Sequence, residues 1–96
     1  MVLLTSQGSV EVKISEETAK GVYSNNVVIS HNAEEFVMDF MFIAPNSGTV
    51  NARVIVSPEH AKRIMAALKD NIAKYEKSFG KIQDLARPET KPASYH

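Results

Sequence analysis

The sequence predicts an α+β domain: a four-stranded antiparallel β-meander followed by one long C-terminal amphipathic α-helix packed on one sheet face. Three observations carry this reading. Residues 57–80, SPEHAKRIMAALKDNIAKYEKSFG, combine a helix start, a helix stop and an apolar seam. Residues 9–56 hold four apolar-rich runs separated by turn residues. The links between the runs are too short for the crossover a parallel neighbour needs, so adjacent strands run antiparallel.

Residues 9–15, SVEVKIS, alternate strictly, with Val10, Val12 and Ile14 on one side and Ser9, Glu11 and Lys13 on the other, as in a half-buried strand. Glu16 to Lys20 is charged and helix-tolerant, and Gly21 lets the chain turn into a second strand over 22–30. His31 to Glu34 reads as a turn. The run 35–44, EFVMDFMFIA, is apolar on both faces except at Asp39, the pattern of a central strand covered on both sides. Pro45, Asn46, Ser47 and Gly48 end it, and 50–56 forms a fourth strand that feeds straight into the helix. Ser57 is placed to cap that helix, Pro58 occupies its first position, where a missing N–H costs nothing, and Gly80 supplies the left-handed stop.

Within the helix Ala61, Met65, Leu68, Ile72, Tyr75 and Phe79 recur in alternating steps of four and three. This is a narrow seam of period 3.5, widened near its start by Ile64. At ~1.5 Å per residue the helix is about 33 Å long. Lys81 to Leu85 continues as an irregular turn. The expected organisation is an N-terminal arm over 1–8, a single domain over 9–82, and a disordered tail over 83–96 that is polar and interrupted by Pro88 and Pro92.

With 96 residues, 44% hydrophobic and 23% charged, the chain has room for one soluble globular domain. A domain this small buries only about 60–65% of the surface its unfolded chain exposes, so its stability margin is thin unless a partner covers more. The chain has no cysteine, which excludes disulfide frameworks, thiol nucleophiles and cysteine-based zinc sites. The opening MVLLT lacks the basic start of a signal peptide, and no run approaches the ~20 apolar residues of a membrane span, so a cytoplasmic location is expected. Eleven basic residues balance eleven acidic ones, leaving no global field to favour nucleic acid or an anionic membrane.

Opposite residues of an antiparallel pair point to the same face. Parity therefore gathers Phe36, Met38, Phe40, Phe42, Val50, Ala52, Val54, Val56, Val22 and Val28 on one face, the floor for the helix. The opposite face receives Tyr23, Val27, Ile29, Val37, Met41, Ile43 and Ile55, interrupted by Asn25, Asp39 and Arg53. One helix cannot cover both faces, and an apolar face of several hundred Å² left in water is unusual for a monomer. Those seven apolar residues are the candidate interface with a second copy, in a homodimer or a dimer of dimers. The helix seam, whose period is that of paired helices, is a further candidate contact.

The candidate polar site is Asn25, Asp39 and Arg53, in which Asp39 accepts from Arg53 in a charge-assisted pair and Asn25 completes the set. Such a cluster can bind a small polar ligand; more often it fixes strand register or an oligomer contact. Glu59-His60 has no second ligand one helical turn on, so no metal is expected there. Ser24, Ser30 and Ser47 lack the setting of a nucleophile, and the four glycines are scattered, with no phosphate-binding loop. Neither a cofactor nor a catalytic residue is expected. Lys62, Arg63, Lys69, Lys74, Lys77 and Lys81 read as a solvated helix face that could also follow a phosphate backbone.

The stretches GVYSNNVVISHNAEEFVMDF and VIVSPEHAKRIMAALKDNIAKYEKSFGKI resemble the small prokaryotic family catalogued as domain of unknown function 3467. Its YSN and ISH pair, EFxxDF strand and SPEHAKR helix start appear in that order, and the likeness covers residues 9 to about 82. The resemblance brings no activity, cofactor or catalytic residue with it. A looser likeness, of topology only, is to the export-chaperone (SecB-like) fold of four antiparallel strands and a long helix. It implies self-assembly and binding of extended peptide.

Two function classes follow. The first is a non-catalytic homo-oligomeric module that binds a protein or peptide partner. The alternative is a small nucleic-acid-associated regulator using the basic helix face. The first is preferred, because no short recognition-helix motif is present.

Overall fold

A single residue, Ser57, separates the last strand from the long helix, and this junction sets the layout of the chain. The computed structural model describes residues 2–5 and 8–84, with the backbone alone for 2–5, 8 and 9. In chain order the elements are β1 (Val2–Thr5), β2 (Gly8–Glu11), α1 (Glu16–Ala19), β3 (Asn26–His31), β4 (Phe36–Ala44), β5 (Ser47–Val56) and α2 (Pro58–Phe79). The strands form two antiparallel sheets, a β1–β2 hairpin and a three-stranded meander in the order β3–β4–β5. The fold is thus α+β, an antiparallel sheet followed by a C-terminal helix.

The predicted first strand of the meander, 9–15, pairs elsewhere. Its ordered part, β2, takes β1 as partner, with Val2 opposite Glu11 and Thr5 opposite Gly8. Most of the arm over 1–8 is therefore strand rather than a loose lead-in. The chain then leaves the strand before Ser15, whose hydroxyl accepts from the Thr18 backbone N–H at 3.1 Å and caps the one-turn helix α1.

The β3–β4 connection is an Asx turn. Asn32 Oδ1 accepts from the N–H groups of Glu34 (2.8 Å) and Glu35 (3.0 Å), while the Asn32 N–H donates to the Glu35 carbonyl at 3.0 Å. This closes His31 opposite Phe36 and sets every later pair, including Val28 opposite Asp39. The register differs by one residue from the parity reading. Because side chains alternate, Val27 and Ile29 join Phe40 and Met38 on one face, and Val28 crosses to the face of Asp39.

The β4–β5 turn needs only Pro45 and Asn46, with Ala44 opposite Ser47. Proline presets the first turn residue, and Asn46 takes the positive φ of 68° at the second. The fifth strand thus begins three residues earlier than Val50. Gly48 lies opposite Ile43, and a Cβ there would meet Ile43 Cδ1 at 3.0 Å, which explains a glycine inside a strand. Farther along, Phe40 faces Ala52 and Met41 faces Val50, so Asn51 is the extra residue of a β-bulge. The bulge carries Val50 to the face of Met41, opposite to its expected side.

At the end of β5 the Ser57 hydroxyl accepts from the His60 N–H at 3.1 Å, and α2 begins at Pro58. It ends where predicted: the Gly80 N–H donates to the Glu76 carbonyl at 3.0 Å, and Gly80 has φ 95°. The stretch 81–84 is not helical, and the predicted tail beyond 84 lies outside the described residues.

The helix does not lie on its own sheet. Its half-buried apolar residues, Pro58, Ala61 and Ile64, all belong to the first two turns, after which the seam stands in solvent, with Leu68 59% and Phe79 76% exposed. A strand that passes into a helix through one residue has no loop with which to reverse direction, whereas packing back requires one. The radius of gyration, 16.1 Å, exceeds the ~12–13 Å of a compact chain of this length. Among the described residues only Met41 and Asp39 are buried.

The Gly48 contact yields a direct test. Gly48→Ala should destabilise the sheet by about 1 kcal/mol through overpacking, and Ile43→Val, which removes the Cδ1 methyl, should cancel most of that loss. Additive losses in a thermal-denaturation double-mutant cycle would mean that the two side chains do not compete for this space.

Candidate functional site

Asp39 lies in the middle of the central strand, with Val28 beside it on β3 and Arg53 beside it on β5. Its side chain has no exposure to solvent. Arg53 grips it in two parallel bonds, Nε to Oδ1 at 2.7 Å and an Nη to Oδ2 at 2.9 Å. This fork geometry satisfies both carboxylate oxygens, as burial of a charge demands. The Arg53 side chain remains 58% exposed. Its pKa is raised above the ordinary arginine value, first by the hydrogen bond to Asp39 and second by the attraction of that charge, against a small opposing desolvation. The pair therefore joins a buried anion to a cation that meets water on the outer side of β5.

Asn25, the third member of the predicted set, does not join the pair. Its side-chain amide bonds the backbone of Ile43 twice, donating to the carbonyl at 3.0 Å and accepting from the N–H at 2.9 Å. Its own N–H donates to the Met41 carbonyl at 3.0 Å. The amide stands in for a peptide group and continues the β3–β4 ladder beyond the last paired residue.

Neighbouring residues do the same work. The Ser24 hydroxyl lies 2.8 Å from the Asn26 carbonyl and 2.9 Å from the Met41 carbonyl, and the Tyr23 carbonyl accepts from Asn51 Nδ2 at 2.8 Å. Tyr23-Ser24-Asn25 is thus a clamp that fastens the chain entering β3 to β4 and, through the bulge residue, to β5. The role of Asn51 escapes sequence reasoning; its only signal is an amide between Val50 and Ala52, inside a strand.

The candidate interface set divides between two faces. Val37, Met41, Ile43 and Ile55 share the face of Asp39 and Arg53, while Val27 and Ile29 lie on the other with Phe36, Met38, Phe40, Ala52 and Val54. Tyr23 precedes β3 and meets Phe42 edge to face, with ring centroids 6.0 Å apart. Met41 is 4% exposed and so belongs to the chain's own interior, whereas Val27, Ile29 and Ile55 are exposed.

His31 stacks on Phe36 with ring centroids 5.2 Å apart, and His60 gives its backbone N–H to the helix cap. Among the described residues no cluster of three histidine or acidic side chains is placed to hold a metal. On the basic face of α2, Lys74 is tied to Asp70 at 3.1 Å. A shallow, half-open depression of about 350 Å³ lies between the α1 segment and β5, lined by Glu17, Thr18, Gly21, Val22 and Ala52. Among the described residues no helix is long and apolar enough to cross a membrane.

The family described as protein of unknown function (DUF3467) matches residues 4–84. The chain belongs to this family. No curated protein and no solved structure matches the chain. The YSN, EFxxDF and SPEHAKR stretches of this chain coincide with the clamp, the buried aspartate and the helix cap. Each of these has a structural task in this chain.

Arg53→Met should destabilise the fold strongly, because it leaves the Asp39 charge buried with its main partner gone, and Asp39→Asn in the same chain should recover part of the loss. Equal and additive shifts in melting temperature would show that the two groups are uncoupled. Asn25→Ala should cost about 1 kcal/mol, the net worth of bonds made at an exposed position; an unchanged melting temperature would remove Asn25 from the clamp.

Proposed function

We propose that the protein is a non-catalytic, homo-oligomeric interaction module that binds a protein or peptide partner. One observation carries this reading: the apolar residues of the helix and of both sheet faces are left largely uncovered by the chain itself. Val27, Ile29, Ile55, Met65, Leu68, Tyr75 and Phe79 are all exposed, on a domain whose described residues bury only Met41 and Asp39. Scattered surface apolar residues need no explanation, but a continuous helical seam together with two sheet faces is the surface of a subunit.

A homodimer or a dimer of dimers accounts for it. The expected covering of the sheet by a helix, and the four-stranded layer itself, belong in this reading to the assembly rather than to one chain. The three-stranded sheet also ends in two edge strands, β3 and β5. Extended peptide pairs with such edges through its backbone and takes specificity from side-chain pockets. The basic-face alternative is weakened by the net charge of zero and by the Lys74–Asp70 pair.

In light scattering at micromolar concentration the chain should have two or four times its 10.6 kDa mass. Leu68→Glu should shift it toward the monomer, while Lys69→Ala should not. A monomeric mass for the unmodified chain would remove the oligomeric part of this reading. Binding of duplex or single-stranded nucleic acid that collapses between about 50 and 200 mM salt would favour the alternative.

A further inference from the structure

Resting on the oligomeric reading, we propose that α2 pairs with α2 of a second copy, antiparallel, as a short two-stranded coiled coil centred between Leu68 and Ile72. Three features of the helix select this occupant. The seam, Ala61, Met65, Leu68, Ile72, Tyr75 and Phe79, keeps steps of four and three along the helix. A helix destined for a sheet carries a wider apolar stripe, whereas a strict 3.5 period is the seam of paired helices. The seam also lies open: after the second turn its side chains are 40% exposed or more. Five such side chains, two of them aromatic, offer on the order of 500 Å² of apolar surface, more than half of the ~800 Å² per partner of a standard interface.

Orientation follows from size and charge. In the antiparallel arrangement Ala61 meets Phe79 of the second copy, Met65 meets Tyr75, and Leu68 meets Ile72. Each layer then has similar total volume. Parallel pairing would set alanine on alanine at one end and phenylalanine on phenylalanine at the other. Beside the seam, on the side following Ala61, Leu68 and Tyr75, stand Lys62, Lys69 and Glu76. Antiparallel pairing brings Lys62 to Glu76 of the second copy at both ends. Parallel pairing matches no opposite charges, because the facing positions hold Ile64, Asn71 and Ser78. One Glu76 oxygen accepts from the Ile82 N–H at 2.8 Å, leaving its second oxygen for the lysine. The two Lys69 side chains meet near the dyad, where long stems let their charges diverge into water.

Charge exchange and cross-linking test this. Glu76→Lys should weaken dimerisation about tenfold by opposing Lys62 twice, and adding Lys62→Glu in the same chain should restore it. Because the chain has no cysteine, introduced thiols are unique reporters. With a short bismaleimide, Asn71→Cys should link to itself, and Lys62→Cys should link to Glu76→Cys in a mixture. Lys62→Cys should not link to itself, since antiparallel helices hold those positions about 21 Å apart at ~1.5 Å per residue. Linking of Asn71→Cys to Glu76→Cys in a mixture, with no self-linking of Asn71→Cys, would establish parallel pairing and overturn the proposal. A multimer that links at none of them would place the second copy elsewhere, overturning the helix pair while sparing the oligomer. A monomeric unmodified chain would overturn both.

Discussion

Ser57 ends a strand and caps a helix at once, and that economy constrains the rest of the molecule. Its backbone is extended, with φ −69° and ψ 159°, while its hydroxyl already serves the first helical turn. Pro58 follows with a fixed φ and no donor, so the junction has few alternative conformations. A longer link would let the helix fold back and cover the sheet of its own chain. With one residue the helix continues away from β5, and its apolar side beyond the second turn is left exposed.

Against that open arrangement the centre of the sheet is closely determined. Asp39 occupies the position where a charge is most costly, the middle strand of three, and is tolerable because Arg53 meets both of its oxygens. A one-residue slip of β5 would send the arginine to the other face and leave the carboxylate buried alone. The pair thus acts as a register lock between β4 and β5, and the Tyr23-Ser24-Asn25 clamp does the same between β3 and β4. The YSN and EFxxDF stretches of this chain fall on these locks. They are what a short sheet with little buried apolar surface needs in order to adopt one alignment.

Much of this was legible in the sequence, for reasons that can be named. The cap, the proline and the glycine of α2 act through the local backbone, so their positions are visible without tertiary information. The Asp39–Arg53 pair was legible because the longer connection read before Val50 shifts the parity of β5 by one residue, as the bulge at Asn51 does in the structure. The face of β3 is misassigned because the parity reading is one residue out of register with the four-residue connection that Asn32 closes, in which His31 lies opposite Phe36. Val50 was misassigned because a bulge adds a residue, and Asn51 carries no local signature of that. Asn25 was read as a member of a side-chain network because a sequence does not distinguish an amide that binds a charge from one that imitates a peptide. The place of the helix depended on the absence of a loop, a feature easily read as mere continuity.

The two turns of the meander bear on how the chain reaches its final state. One connection has four residues and the other two, so nearly all sheet contacts join neighbours along the chain. Loop closure of that length takes microseconds or less, and low contact order goes with rapid folding. In an oligomer built through α2, docking of the helix is bimolecular, so its rate is set by how often two chains meet. Assembly would then proceed in two regimes, a fast unimolecular zipping of the hairpins and a slower second-order step whose pace is governed by how much of the protein the cell makes.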